Sequence, residues 1–186
     1  MRLGQERFML EDRKLVGACQ SNDRLAQRQL YERFAGRMFA VCLRYTKNAD
    51  DAQDVLQDGF VKIFDKITTF RFECPLEMWV KTVMVNTALS FLRKEQKWHN
   101  SSDVDFIAND EANPDEVLSG FGYEQLLQFV RELPIKCQTV FNLYAIEGYQ
   151  HHEIALLLGI SEGTSKSQYS RAKQLLKNKL LAERNC

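Results

Sequence analysis

Apolar residues recur every three or four positions along most of this chain, the period of amphipathic helices rather than the alternation of strands. After a short tail, Asp12 to Gln20 reads as a first helix, and Asp23 caps a second whose stripe runs Ala26, Leu30, Phe34, Met38, Val41 and Tyr45. Asn48 or Asp50 starts a third, with Ala52, Val55, Leu56, Gly59, Phe60, Ile63 and Ile67 inward and Asp54, Asp58, Lys62 and Asp65 on the other side. The stretch Thr68 to Cys74 breaks the period and makes an aromatic, basic loop. Pro75 then suits the first position of a fourth helix, where its missing N–H costs nothing. In that helix Leu76, Val80, Val83, Ala88, Phe91 and Leu92 point roughly inward. Thr82, Asn86, Arg93 and Lys97 share a polar face, and Trp79 borders both.

The segment Ser101 to Leu118 carries Asp103, Asp105, Asp110, Glu111, Asp115 and Glu116, no basic residue and little periodicity, which reads as a flexible acidic linker. Beyond it, Tyr123, Leu126, Leu127 and Val130 make a helix that stops at Leu133-Pro134. Cys137, Val140, Phe141 and Tyr144 make another that stops at Gly148. The expected architecture is all-α: a tail over 1–8, a helical domain over 9–98, a linker over 99–120 and a second helical domain over 121–186.

In the second domain, His152 to Leu158 reads as a short helix, Gly159 as a sharp turn, Ile160 as an apolar plug and Ser161 as the cap of a final helix from Glu162 towards Glu183. A small residue at Ala155, a residue tolerant of positive φ four later, a plug and a cap are what a helix-turn-helix demands. The last helix buries Tyr169, Ala172, Leu175 and Leu176 and offers Thr164, Lys166, Ser167, Gln168 and Arg171, side chains suited to phosphates and base edges in the major groove. An ordinary helical hairpin with a solvated basic face fits the same pattern.

Composition adds little until it is read locally. Lys+Arg and Asp+Glu are equal at 25 each, so the net charge points to no partner. Its distribution does: from Asp50 to Asp65, Asp50, Asp51, Asp54, Asp58 and Asp65 stand against a single Lys62, whereas from Lys166 to the end Lys166, Arg171, Lys173, Lys177, Lys179 and Arg184 stand against Glu183 alone. Two surfaces with different partners follow. Cys19, Cys42, Cys74, Cys137 and Cys186 form no Cys-x-x-Cys pair and read as reduced, mostly core residues. No apolar run reaches bilayer length and the charged start of the chain does not resemble a signal peptide, so a cytoplasmic location is expected.

With these residues in view, the chain resembles the extracytoplasmic-function (ECF) group of the sigma-70 family from about Leu15 to Leu180. Asp-Ala-Gln-Asp-Val-Leu-Gln-Asp-Gly-Phe, Asp51 to Phe60, resembles the region 2.2 helix, and Trp79-Val80 with Val85-Asn86-Thr87-Ala88 resembles region 2.3. Leu133-Pro134, Gly148, Glu153-Ile154-Ala155, Leu158-Gly159-Ile160, Gly163-Thr164, Lys166-Ser167 and Arg171-Ala172-Lys173 resemble region 4. The resemblance implies a transcription initiation factor that is not an enzyme, uses no cofactor, metal or small-molecule substrate, and binds core RNA polymerase (the β′ coiled coil and the β subunit) and promoter DNA. It places Asp51, Asp54, Gln57 and Asp58 on the polymerase surface. It puts Phe70, Arg71, Phe72 and Asn86 at the minus-ten element, and Thr164, Lys166, Ser167, Gln168 and Arg171 at the minus-35 element. An anti-sigma partner is an expectation of the same kind.

Three positions depart from the family pattern. Ser165 stands where Val is usual, and its hydroxyl needs a partner if buried; Gln150 replaces a capping Ser; Ser90 replaces an Asp. Two other classes remain on the sequence alone: a polymerase-independent, dimeric DNA-binding regulator, and a metal-dependent hydrolase built on His151, His152 and Glu153. Adjacent histidines diverge on a helix and no His-Glu-x-x-His spacing is present, so a solvated helix start is the reading preferred for that triplet. Trp79 is read as core.

Overall fold

The structure, a computed structural model, describes residues 2–94 and 123–184, with side chains over 10–94 and 125–183. Helix α1 (Arg2–Gln20), α2 (Arg24–Leu43), α3 (Ala49–Lys66), a 3-10 turn (Ile67–Thr69) and α4 (Leu76–Lys94) are followed by α5 (Tyr123–Arg131), α6 (Ile135–Phe141), a π-helical turn (Asn142–Ile146), α7 (His151–Leu158) and α8 (Glu162–Arg184). Among the described residues there is no strand. The acidic linker reading and Lys97 lie outside them. Contacts divide the chain into two compact units, Met1–Leu92 and Arg93–Cys186.

In the first unit α2 packs between α1 and α3. Every apolar position expected on α2 and α3, from Ala26 to Ile67, is buried, with Tyr45 just past the end of α2 and Ile67 in the 3-10 turn. The caps follow the sequence: Asp23 Oδ1 accepts from Leu25 N–H (2.8 Å) and Ala26 N–H (3.3 Å), and Asn48 Oδ1 accepts from Asp51 N–H (2.7 Å). Helix α1 begins at Arg2, ten residues before the expected start. Its end is tied down where Gln20 Nε2 donates to the Ile67 carbonyl (3.0 Å).

Helix α4 differs from its expected stripe. Met84, Val85, Thr87 and Leu89 are buried with Leu76, Val80, Ala88 and Leu92, whereas Val83 and Phe91 are only half-buried. The reason lies opposite, at Gly59 of α3. A Cβ there would come within 2.4 Å of Met84 Sδ, so α4 turns its methionine into the space the glycine leaves. Pro75 precedes the first helical residue, and its carbonyl accepts from Trp79 N–H (3.2 Å).

In the second unit α5, α6 and α7 each pack on α8. Its core joins Phe129, Val130, Leu133 and Cys137 to Ala172, Leu176 and Leu180 on one face of α8, with Phe141 and Leu175 against it. Gly148 (φ +83°) and Gly159 (φ +68°) supply the left-handed turns before and after α7, where a Cβ would be strained. After Gly159, Ser161 Oγ accepts from Thr164 N–H (2.9 Å) and caps α8 as expected.

Candidate protein- and nucleic-acid-binding surfaces

The acidic block forms one exposed face of α3. Asp54, Gln57, Asp58 and Asp65 all reach solvent, and among the described residues no cation pairs with Asp54 or Asp58. Lys62, one turn beyond Asp58, turns instead to Thr87 of α4 (3.4 Å). Asp51 is set apart. It is half-buried in the helix cap, its carboxylate accepting from Asn48 Nδ2 (3.1 Å). The sequence reading missed Val61, which is 59% exposed in the middle of this face. Its signal was visible as an apolar residue falling off the buried stripe. The exposed face thus offers carboxylates around an apolar centre, a pattern for a basic partner with an aliphatic contact.

The expected loop after α3 splits into a buried and an open part. Phe70 is 6% exposed, packed on Trp79 (ring centroids 5.2 Å) and Phe72 (4.7 Å), so it is a foundation rather than a free stacking surface. Phe72 is half-buried at φ +60°, a conformation disfavoured for a bulky residue, and Arg71 is exposed. The guanidinium of Arg13 lies over the Phe72 ring at 4.9 Å, a cation from α1 that nothing in the helical pattern announced. Asn86 is exposed on α4, as are Thr82 and Arg93. The core reading of Trp79 holds in part: the ring is half-buried, one side spent on Phe70.

On α8, Lys166 is exposed and Thr164, Ser167 and Arg171 are half-exposed. Lys166 Nζ bridges to Glu162 Oε1 (2.7 Å), which holds the Glu162 carboxyl below its usual value. Such an exposed i,i+4 pair is weak and yields easily to phosphate. Gln168 is a correction. It is 8% exposed and its Oε1 accepts from Cys137 Sγ (3.0 Å), because it falls on the same side of α8 as Ala172 and Leu176. An i, i+4 count from Ala172 would have predicted this.

His151 is a second correction. Instead of a solvated helix start, the ring stacks on Tyr144 (4.3 Å, 12° between planes), and its Nδ1 lies 2.9 Å from Oγ of the fully buried Ser165. Burial, then Lys166, push the imidazole below its ordinary value, with Glu162 opposing. Gln150 caps α7 in a way the sequence did not suggest, its N–H donating to Glu153 Oε2 (2.7 Å). Ser90 Oγ donates to the Asn86 carbonyl (2.8 Å).

Among the described residues no three His, Cys, Asp or Glu side chains are grouped to hold a metal ion, and no helix is long and apolar enough to cross a membrane. Cys19, Cys42 and Cys137 are buried free thiols, Cys42 pushed up to about 12 by burial, while Cys74 is exposed.

Comparison with known proteins gives these surfaces a context. Residues 30–98 match sigma-70 region 2 and residues 123–176 match sigma-70 region 4. The chain is 27% identical over 184 residues to an ECF RNA polymerase sigma-E factor of Haemophilus influenzae, covering 92% of this chain and 96% of that one. It is 26% identical over 182 residues to the corresponding protein of Escherichia coli, covering 92% and 95%. Among solved structures, the sigma factor RpoE of Bartonella quintana, in complex with the anti-sigma factor NepR, shares the fold with a TM-score of 0.53 at 24% identity over 83% of this chain and 96% of that one. Two matched regions in the family's order, one in each helical unit, together with relatives aligned nearly end to end, mean that the chain belongs to the sigma-70 family as an ECF sigma factor of transcription initiation.

Proposed function

We propose that this factor docks on core RNA polymerase through the exposed face of α3, reads the minus-ten element beside the α3–α4 loop, and reads the minus-35 duplex with α8. The observation that carries this is the separation of charge: Asp54 and Asp58 stand unpaired by any described residue on one unit, while the exposed Lys166 and the half-exposed Arg171 lie in the first half of the last helix of the other. A basic polymerase surface would meet Asp54, Gln57, Asp58 and Val61; Asp51 contributes chiefly by starting the helix. At the loop, Phe72 and Arg71 with Arg13 offer a ring and cations to an unstacked base and its phosphate, over the floor made by Phe70. Asn86 borders that place. On α8, Lys166 and Arg171 take phosphates or guanine edges and Thr164 and Ser167 make shorter polar contacts, with Gln168 buried behind them.

The factor itself makes and breaks no covalent bond, needs no cofactor, and acts in the cytoplasm where polymerase and promoter meet. The module over 9–98 grips polymerase, the one over 121–186 grips the upstream duplex, and the acidic segment over 99–120 tethers them. An anti-sigma factor is the partner expected to compete for the α3 face; the fold's likeness to a sigma factor held by NepR supports looking for one. The test is transcription from purified components. Core polymerase with this chain should start RNA at discrete sites on genomic fragments, and Asp54→Asn with Asp58→Asn should abolish both this activity and comigration with core. Comigration untouched by that pair would refute the docking assignment.

A further inference from the structure

Resting on the reading of α8 as the helix that enters duplex DNA, we propose that His151 is a positioning residue for that helix, acting through a part-buried hydrogen bond to the buried Ser165. Ser165 has 0% exposure and lies on the packed side of α8, one residue before Lys166 and between Ser161, which caps the helix, and Tyr169. Its Oγ is 2.9 Å from His151 Nδ1, and His151 is the first residue of α7. The imidazole is held in turn by Tyr144, stacked at 4.3 Å, and by Tyr169, which meets it edge-on at 5.8 Å.

The joint between the two helices of the motif is therefore polar and directional where an apolar contact would be neither. A hydrogen bond between buried groups gains modestly when made and costs more when one partner is removed. Apolar contacts permit α8 to roll about its axis with small loss. A single short bond from a clamped ring to Ser165, the fourth residue of α8, does not, because rolling carries Ser165 away from Nδ1 and leaves its buried hydroxyl unpaired. The same roll would move Lys166 and Ser167, the next two side chains, off the groove.

Donor and acceptor roles at the ring follow its tautomer, and in the proposed bond Nδ1 accepts from the Ser165 hydroxyl, so a second proton on the ring removes the acceptor. The charged groups that act on the ring are Lys166 and Glu162, both on α8. Glu153 of α7 is turned to the Gln150 N–H, and the π-helical turn presents the Tyr144 ring. Lys166 and burial together oppose a second proton on the ring.

The experiment uses the full chain assembled with core polymerase, on promoter fragments from its own mapped start sites with the minus-35 segment intact or scrambled. His151→Leu should weaken binding to the intact fragment by about tenfold and leave the scrambled one unchanged, since only the oriented helix is lost. His151→Asn, whose amide can reach Ser165, should stay within about threefold of the parent, whereas the double variant His151→Leu with Ser165→Val, which strands neither polar group but leaves only an apolar contact, should regain thermal stability without regaining the intact-to-scrambled ratio. The intact-to-scrambled ratio of the parent should fall as pH drops below 6.5 while that of His151→Asn stays flat. Equal losses on both fragments, or full recovery of the intact-to-scrambled ratio in the double variant, would overturn the positioning role. If the parent itself fails to distinguish the fragments, the reading of α8 falls instead. In that event a double-mutant cycle in thermal unfolding decides the joint separately, and absence of coupling between positions 151 and 165 sinks it.

Discussion

Asn48 holds the start of α3 with both ends of its amide, Oδ1 accepting from Asp51 N–H and Nδ2 donating to the Asp51 carboxylate. Asn48→Ala should therefore cost about 1 kcal/mol in urea unfolding, the usual worth of such a cap. Asp54→Asn and Asp58→Asn, on the same helix but exposed, should shift stability by less than about 0.5 kcal/mol while removing polymerase affinity, which a melt and a binding titration together would establish. His151 gives a pH signature. Its folded value lies below 6.5, so the unfolded chain binds the additional proton and stability rises with pH. The contribution is complete above 6.5 and disappears as pH drops through the lower folded value; the unfolding midpoint of His151→Asn should lack that part of the acid sensitivity. At this scale the sequence was legible where a side chain answers to its own helix, as with Asp23, Asn48, Ser161 and Gly159. It was opaque where the answer comes from another element: Arg13 over Phe72 spans α1 and the loop, and His151 finds Ser165 on a different helix. No local pattern encodes such pairings.

Among elements, the buried sides of α2 and α3 were readable because each buries a single stripe at helical spacing. Helix α4 was not, since it packs round more than one side and Met84 follows a glycine on α3 rather than a period of its own. Helix α8 shows the same limit in its first turns, where Gln168 was assigned outward for its chemistry although it lies four residues before Ala172. The cap of α8 makes a sharper forecast. Ser161 Oγ accepts from the Thr164 N–H and lies 2.8 Å from the Thr164 hydroxyl. Ser161→Ala should cost about 1 kcal/mol and fray the turn that carries Thr164 and Lys166. Hydrogen exchange at the amides of residues 162–165 should quicken, and binding to a minus-35 duplex should weaken with no change at minus-ten DNA.

For the whole chain, equal numbers of acidic and basic residues conceal two oppositely charged helix faces carried by separate helical units. Each contact is modest, and linking them raises the effective concentration of the second once the first is made. A promoter with either element scrambled should bind the holoenzyme at least about tenfold more weakly, and scrambling both should leave only salt-sensitive, sequence-blind association. Filter binding at two salt concentrations would measure it; equal affinity for all four fragments contradicts the tethered reading. Within the first unit the close approach of Gly59 to Met84 has a mechanical corollary. With no side chain at 59, the helix that would face the enzyme and the helix that would face the melted strand share one seam, like two blades riveted at a single point. A leucine at that rivet would splay the blades and disable both edges while leaving each edge's own chemistry untouched.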